Sequence, residues 1–390
     1  MTDQQFPKHR ISWPDGLTIG LITASIAFVM ELTLLPLVLS AIQDDLSLGV
    51  VELGWVFNSY AIAVAVAVLF CGFAGDRFDK RRLFMVGVVL FAGGSVLSAL
   101  SGTLGTLIPS RVLQGLGGGL FFPLVPVLLT QANAERSGRI LMIWGGLAGF
   151  VAAVLPMFGG ILLTTFGWSA VFLCFAACAI AGLALFALGQ LGQVADAMRS
   201  VPDYRKLLSI RGYWVLLTYI FLTYGCFSYY LFHYPVSWHE AGFTNRSVSL
   251  LLTTVWLSFS VVSFLLRDRM EGPGLNKSLL VAPALLALAF VIAAFDQEGP
   301  SLQLLSAVLA GTGLACCNSP STHLLLRVSP KDLRAFSSCL DIIFARCGSV
   351  ATITLLTVMD PFPALLALAV ISFLAIVASH VFLRDFSRAT

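Results

Sequence analysis

Twelve long apolar stretches fill most of this 390-residue chain and limit what it can fold into. A helix needs about 20 apolar residues to cross the hydrocarbon core of a bilayer. Since backbone polar groups cannot stay unpaired in hydrocarbon, these long continuous runs predict twelve membrane-spanning helices and an all-α protein. The predicted spans are 16–41, 51–75, 83–101, 104–132, 140–164, 168–190, 211–238, 246–266, 278–295, 300–328, 335–358 and 361–383.

The positive charges indicate how the spans are oriented. Of the 23 Lys and Arg residues, all but Arg111, Arg246 and Arg346 fall in termini or connections on one side of the spans. Because an excess of Lys and Arg marks the cytoplasmic side, both termini are predicted to be cytoplasmic. The formal net charge of +3 therefore reflects topology and does not indicate a nucleic-acid partner.

Composition and cysteine placement exclude several classes of protein. Charged residues make up 11% of the chain, whereas about a quarter of a soluble domain is charged. Residues 1–15 are polar and no small-residue cleavage site follows, so no cleavable signal peptide is expected. The eight cysteines lie in apolar stretches, which suits buried hydrophobic residues better than disulfides or metal ligands. The sequence contains no recognisable phosphate-binding loop, no His/Cys/Asp cluster with the spacing of metal ligands and no pair of a nucleophile with a base. Neither a cofactor nor an enzyme activity is therefore expected.

The longest connection divides the chain into two halves. Residues 191–210 are polar and basic, and they separate a six-helix bundle at 1–190 from a second one at 211–390. An Asp-Arg pair follows the second span of each half, at 76–77 and at 268–269. Two six-helix repeats are typical of a transporter that holds its substrate near the membrane midplane between the halves.

Three motifs in the first half carry a family resemblance. They are GFAGDRFDKRR at 72–82, RVLQGLGGG at 111–119 after Leu107, and GGLAGFVAAVLPMFGGIL at 145–162. These resemble the loop motif G-x-x-x-D-R-x-G-R-K, the fourth-span motif L-x-x-x-R-x-x-Q-G-x-G and the fifth-span antiporter motif G-x-x-x-G-P-x-x-G-G of the major facilitator superfamily. Asp79 replaces the second Gly of the first motif, and Leu155 replaces the Gly before Pro in the third. The chain is most similar to the bacterial drug:proton antiporter branches of that family.

The resemblance implies functions for parts of these motifs. Asp76 and Arg77 would form an ion-pair latch between the halves, although basic residues in this loop also follow from the orientation bias. Pro156, Gly159 and Gly160 would let the fifth span bend or slide. Proline removes a backbone hydrogen bond and makes a kink, and glycines let helices approach closely. Packing alone is the alternative explanation for the glycines.

Two buried charges in the first half are predicted to meet. Glu31 lies about 15 Å and Arg111 about 10 Å below the same predicted outer surface, at 1.5 Å of helix rise per residue. A charged side chain in a membrane span needs a partner, so both are expected to face the interior of the bundle. Antiporters of the resembled family similarly carry an acidic residue in the first span. Glu31 is therefore predicted to bind protons and a cationic substrate, with Arg111 orienting it; a static ion pair is the alternative.

Two further ionisable residues lie in the eleventh span. Asp341 is a second candidate for proton coupling, and His323 of the tenth span is a possible partner at a similar depth. Arg346 is predicted to bind substrate. Two buried arginines favour the alternative of an anionic substrate, because Arg binds carboxylates and phosphates well. His239 beside Glu240 is interpreted as a surface pair.

The seventh span is rich in aromatic residues between 219 and 234. Tyr234 and the nearby Trp238 are interpreted as part of an interfacial belt. Tyr224 and Phe227, which lie deeper, are predicted to line a substrate cavity through stacking and cation–π contacts. Further polar candidates for the cavity are Asn58 and Gln114.

The sequence as a whole predicts the fold of the major facilitator superfamily, with two pseudo-symmetric six-helix bundles. The predicted activity is proton-coupled efflux of a small amphipathic or drug-like compound by alternating access. The alternative is a carrier for a siderophore or another anionic metabolite. The expected partners are the substrate, protons and membrane lipid, and the protein is expected to be a monomer in the cytoplasmic membrane of a bacterium.

Overall fold

The computed structural model of the chain describes residues 16–74, 78–133, 136–189, 204–266, 274–295, 300–330 and 333–389. All regular secondary structure within these ranges is helical, as predicted. The helices are α1 Gly16–Leu46, α2 Val50–Ala74, α3 Lys80–Ala99, α4 Leu104–Phe121, α5 Leu124–Ala132, α6 Ser137–Phe166, α7 Trp168–Leu188, α8 Tyr204–Leu208, α9 Arg211–Glu240, α10 Asn245–Leu266, α11 Gly274–Phe295, α12 Pro300–Val328, α13 Arg334–Leu356 and α14 Pro361–Ala389.

Twelve helical segments of the described residues are long and apolar enough to cross a membrane. Each corresponds to one predicted span, and α4 and α5 together form the fourth. Helix α1 continues past its predicted end at residue 41 to Leu46, and Ile42 in this extension is fully buried. Large apolar side chains such as Phe150 and Phe373 are exposed on the bundle, as expected for a surface that faces lipid. The prediction of an all-α, twelve-span protein is confirmed.

The fourth span is interrupted, which the sequence analysis did not predict. Helix α4 ends at Phe121, and Pro123 caps the start of α5. Proline has no backbone N–H to continue the helical hydrogen bonds, so one helix ends and the next begins there. Pro156, by contrast, is buried within α6, which is a single helix from Ser137 to Phe166. The kink expected at Pro156 stays a prediction.

The helices pack mainly within two groups. In the first group, α4 packs against α2 and α3, and α1 packs against α6 and α7. In the second, α9 packs against α13 and α14, and α12 packs against α10 and α11. The groups meet where α2 contacts α13, α6 contacts α10 and α1 contacts α9. The connection predicted at 191–210 lies largely outside the described residues, so the boundaries at 190 and 211 stay predictions.

Glycines of the fourth-span motif bring α4 against its neighbours. A Cβ atom on Gly117 would overlap the backbone nitrogen of Phe91 in α3. One on Gly119 would lie 2.6 Å from the backbone oxygen of Val64 in α2. Small residues therefore set the close spacing of α2, α3 and α4. Gly145 and Gly146 of α6 have no neighbour within 4 Å of such an atom, so these two glycines make no comparable close contact.

Replacing Gly117 with Ala should destabilise the protein by about 1–3 kcal/mol, because the added methyl group meets backbone atoms that cannot move aside locally. Gly93→Ala is the matched control, since Gly93 lies on helix α3 and has nothing within 4 Å of an added Cβ. The control should be neutral or slightly stabilising. The measurement is the thermal unfolding midpoint in detergent. Equal midpoints for the two variants would contradict this account of the packing.

Candidate functional site

The structure brings Glu31 and Arg111 together, as their matching depths predicted. Nη2 of Arg111 on α4 donates to Oε1 of Glu31 on α1 across 2.7 Å. The side chain of Arg111 is fully buried and that of Glu31 is 2% exposed. Two opposite charges in direct contact compensate part of the cost of removing each from water. The predicted roles of these residues in transport stay predictions.

Arg111 is held by more than its ion pair. Its Nη1 atom donates to Oε1 of Gln114, one helical turn along α4. Its Nε atom donates to the backbone oxygen of Val56 in α2 across 3.3 Å. Its Cζ atom lies 4.5 Å from the ring centre of Tyr60 and 5.6 Å from that of Phe172. Groups from α1, α2, α4 and α7 thus surround one guanidinium, which fixes its position.

A small cavity of about 10 Å³ lies beside this ion pair, between the two groups of helices. Its lining residues are Glu31, Leu32, Leu35, Phe57, Tyr60, Ala61 and Arg346. Glu31 comes from α1 and Arg346 from α13, so each half contributes a charged residue. Arg346 is half-buried and forms no hydrogen bond or ion pair with the described residues. A charged group without a partner in such a cavity is available to bind a ligand.

Asp341 has a hydroxyl group as its partner. The Thr322 hydroxyl of α12 donates to Oδ2 of Asp341 on α13 across 2.6 Å, and Asp341 is 9% exposed. His323, its possible partner by sequence, is exposed and makes no hydrogen bond with Asp341. Thr322 and His323 are neighbours in α12 and point about 100° apart around its axis. Their similar depth therefore did not determine which of these two residues would face α13.

The other predicted cavity residues make internal contacts. The Tyr224 hydroxyl donates to Oδ1 of Asn318 on α12. Phe227 is 4% exposed and packs against Trp256 of α10 with ring centres 6.1 Å apart. Neither they nor Asn58 belong to the lining of the cavity beside Glu31. A role for Tyr224 and Phe227 in binding substrate stays a prediction.

Asn58 joins the two halves. Its Nδ2 atom donates to the Thr354 hydroxyl of α13 across 3.0 Å. Its Oδ1 atom is buried and has no hydrogen-bond partner. The contact lies toward the ends of α2 and α13 that the charge bias predicts to be outside the cell. This end of the bundle is the outer face.

A side-chain hydrogen bond that was not predicted from the sequence also joins the halves at the outer face. Nε2 of His239, near the end of α9, lies 3.0 Å from Oδ2 of Asp44, near the end of α1. Beside it, the amide nitrogen Nε2 of Gln43 donates to Oε1 of Glu240 across 3.4 Å. The expected pair of His239 with Glu240 is therefore wrong, because neighbouring helical residues do not face each other. The repeat of six spans was the signal that could have predicted this contact. Helices α1 and α9 are the first spans of their halves, and equivalent helices of two repeats can meet at the interface between them.

The antiporter motif of α6 lies at helix contacts on both sides. A Cβ atom on Gly159 would overlap the Leu34 side chain of α1, and one on Gly160 would overlap the Ser249 hydroxyl of α10. The backbone oxygen of Gly149 accepts a hydrogen bond of 2.8 Å from Ser260 of α10. Flexing of this motif stays a prediction. Asp76 and Arg77, the predicted latch, lie outside the described residues.

A second cavity, of about 120 Å³, lies near the outer face within the second half. The rings of Tyr229 and His233 stack on one another there, with centres 5.1 Å apart. Tyr234 and Trp238, interpreted above as an interfacial belt, also line it. Nε1 of Trp238 donates to Oε1 of Gln303 across 2.9 Å. The aromatic end of α9 thus forms a cavity wall in addition to any interfacial role.

Comparison with known proteins supplies the family context. The sequence model of a family described as the Major Facilitator Superfamily matches residues 19–353. The tetracenomycin C resistance and export protein of Streptomyces glaucescens is 35% identical over 161 residues, which are 41% of this chain and 30% of that protein. The methylenomycin A resistance protein of Bacillus subtilis (strain 168) is 28% identical over 258 residues, 65% of this chain and 51% of that protein. The chain thus spans about a third to a half of the length of these relatives.

A solved structure agrees in fold over nearly the whole chain. The crystal structure of a D-xylose-proton symporter superimposes with a TM-score of 0.78 and covers 94% of this chain and 96% of that one. Its sequence identity is 15%, so this likeness concerns the fold alone.

Glu31→Gln should destabilise the protein by about 3–5 kcal/mol, because it leaves the Arg111 charge buried without a counter-ion. The double variant Glu31→Gln, Arg111→Gln contains the same first substitution but no buried cation, so it should recover part of that loss. Thermal unfolding midpoints in detergent measure both changes. A double variant that is no more stable than the single one would contradict the pairing described here.

Asp44→Asn and His239→Gln should each loosen the outer face, because each replaces one partner of the side-chain contact that joins α1 to α9. The measurement is hydrogen exchange, followed by mass spectrometry, in peptides from the outer ends of these helices. Exchange should rise in both variants, and the double variant should add little. His380→Gln, an exposed histidine of α14, is the control. Unchanged exchange in the two variants would show that the pair does not hold the halves together.

Proposed function

Because this chain belongs to the major facilitator superfamily, we propose that it is a secondary transporter that exports a small amphipathic compound in exchange for protons. The family consists of transporters and not of enzymes. The names of two relatives, which describe antibiotic resistance and in one case export, support an efflux role. The proposed site of the protein is the cytoplasmic membrane of a bacterium, where it works as a monomer among lipids.

The observation that carries the proposal is the cavity between the halves. It contains Glu31 from the first half and Arg346 from the second. A ligand bound between two bundles can become accessible from either side when one bundle rocks against the other, without leaving its site. The ends of α1 and α9 are joined at the outer face by Asp44 and His239, so this arrangement supports an outward-closed state.

The proposed cycle needs groups that bind protons and groups that bind substrate. We assign proton binding to two buried carboxylates. Glu31 lies at the cavity, where Arg111 fixes it in place, and Asp341 lies in the second half. Substrate and proton exclude each other, so protons that enter from outside drive the substrate out. Tyr224, Phe227, Asn58 and Gln114 complete the proposed set of substrate-binding residues.

One observation favours a second candidate, the transport of an anionic compound. Glu31 is already paired with Arg111, whereas Arg346 lines the same cavity without a hydrogen-bond or ion-pair partner among the described residues. The lining residue Glu31 is thus neutralised by Arg111 behind it, and the positive charge of Arg346 is left over at the cavity. A carboxylate or phosphate on the substrate would form a bidentate pair with Arg346.

Binding to the purified protein separates the two candidates. Tetraphenylphosphonium serves as the cationic probe and naphthoate as the anionic probe, and a pH-sensitive dye in weak buffer reports proton release or uptake. For export of a cationic compound, tetraphenylphosphonium should bind with proton release, and Arg346→Gln should leave this intact. For an anionic substrate, naphthoate should bind and Arg346→Gln should weaken its binding at least about tenfold, or about 1.4 kcal/mol.

Arg246→Gln is the control for Arg346→Gln, because Arg246 is exposed at the outer end of α10 and lies far from the cavity. Flux should then be measured in proteoliposomes with and without a pH gradient. A gradient that drives neither probe would contradict proton-coupled transport of these classes.

A further inference from the structure

The two buried carboxylates have partners of different chemical kinds. Glu31 contacts a guanidinium, and Asp341 contacts a neutral hydroxyl. We propose that Asp341 is the residue that gains and loses the transported proton, while Glu31 stays ionised as a fixed counter-charge to Arg111. This inference rests on the proposed proton-coupled transport and assigns different roles to the two acids within it.

Protonation of Glu31 would be costly. Its carboxylate accepts a 2.7 Å hydrogen bond from Arg111, and both side chains are almost completely buried. Neutralising the acid would leave the guanidinium charged and without its counter-ion, which is the costly outcome for a buried pair. Gln114 and the backbone of Val56 keep Arg111 in place, so it cannot swing away to another partner.

Asp341 can take either protonation state without breaking its contacts. A threonine hydroxyl is both a donor and an acceptor. The Thr322 hydroxyl therefore donates to the carboxylate when Asp341 is ionised, and it can accept from the carboxylic acid when Asp341 is protonated. When the proton leaves, the O–H bond of the acid breaks, the electron pair stays on the carboxylate, and the proton passes to water on the side to which the transporter is open.

The titratable groups around Asp341 are neutral in their ordinary state. Tyr213 and Tyr224 of α9 and Cys317 of α12 lie within electrostatic range of it. On its own helix, Arg346 follows five residues later, which places it about 140° around the helix axis. No ion pair joins Asp341 to a cation among the described residues. Within the described part of the chain, no cation is therefore paired with Asp341.

The third helix packed against α13 is α2, and its titratable groups lie beside other residues of α13. Cys71 lies in electrostatic range of Cys339, and Tyr60 lies in range of Arg346. A Cβ atom on Gly72 of α2 would be 3.2 Å from the Cys339 sulfur, which shows how closely the two helices approach there. Helix α2 thus brings no charged group to Asp341.

Electrostatic neighbours link Asp341 to the cavity between the halves. Tyr224 is within range of both Asp341 and Arg346, and Arg346 lines the cavity together with Glu31. A cation bound in the cavity raises the positive potential at Asp341 and favours release of its proton. An anion has the opposite effect and favours proton uptake. The sign of the proton change then depends on the charge of the substrate, while the residue that exchanges the proton stays the same.

The test is infrared difference spectroscopy of the purified protein over a range of pH, with no substrate added. A protonated carboxylic acid has a carbonyl band that a carboxylate lacks. We expect a band that disappears as pH rises, that is lost in Asp341→Asn, and that is kept in the double variant Glu31→Gln, Arg111→Gln. Asp341→Glu should retain a titrating band. In Thr322→Val, which keeps the carboxyl but removes its hydroxyl partner, the pH at which the band disappears should change.

Other results would overturn the inference. A band that is kept in Asp341→Asn and lost in the Glu31 and Arg111 double variant would make Glu31 the proton carrier. An absence of any titrating band in the wild-type protein would exclude both acids. Because this measurement needs no substrate, its failure can be told apart from a failure of transport. A titrating Asp341 in a protein that moves neither probe would contradict the proposed function, and only the different chemistry of the two acids would then stand.

Discussion

The buried charge of Arg111 is the constraint on which the first half of the molecule depends. A guanidinium inside a membrane bundle must be paired and hydrogen-bonded. Here Glu31 of α1, Gln114 of α4 and the Val56 carbonyl of α2 provide its partners, and the ring of Phe172 adds α7. The small residues of α4 are what allow the helices to come close enough for one side chain to reach all of these groups.

The second half is held together differently, and this asymmetry underlies the proposed mechanism. Its interior contacts are between neutral groups, such as Tyr230 with Ser306 and Tyr224 with Asn318. Its half-buried Arg346 lines the cavity and its buried Asp341 contacts a hydroxyl, so the two are not paired with each other. One half therefore contains a charge pair that is satisfied within itself, and the other contains charged residues that form no ion pair with each other; these are the groups to which we assign proton and ligand binding.

The sequence predicted what depends on depth in the membrane and missed what depends on rotation and on contact between halves. Hydropathy and loop charge gave the spans, and matching depths predicted the contact of Glu31 with Arg111. Depth does not distinguish Thr322 from His323, because that choice depends on how α12 is rotated about its axis. The pair of Asp44 with His239 depends on how two halves distant in sequence meet. The interruption at Pro123 depends on a proline that the motif comparison did not include.

Alternating access requires that contacts within each half survive while contacts between the halves break. The structure distributes its polar interactions accordingly. The ion pair of Arg111 is buried within the first half, where losing it would be costly. The contact between the halves at the outer face joins Asp44, which is 67% exposed, to His239, and an exposed contact of this kind contributes at most about 1 kcal/mol even between charged groups. Water can replace that contact when the outer face opens, so the halves can separate there while each bundle keeps its own interior intact.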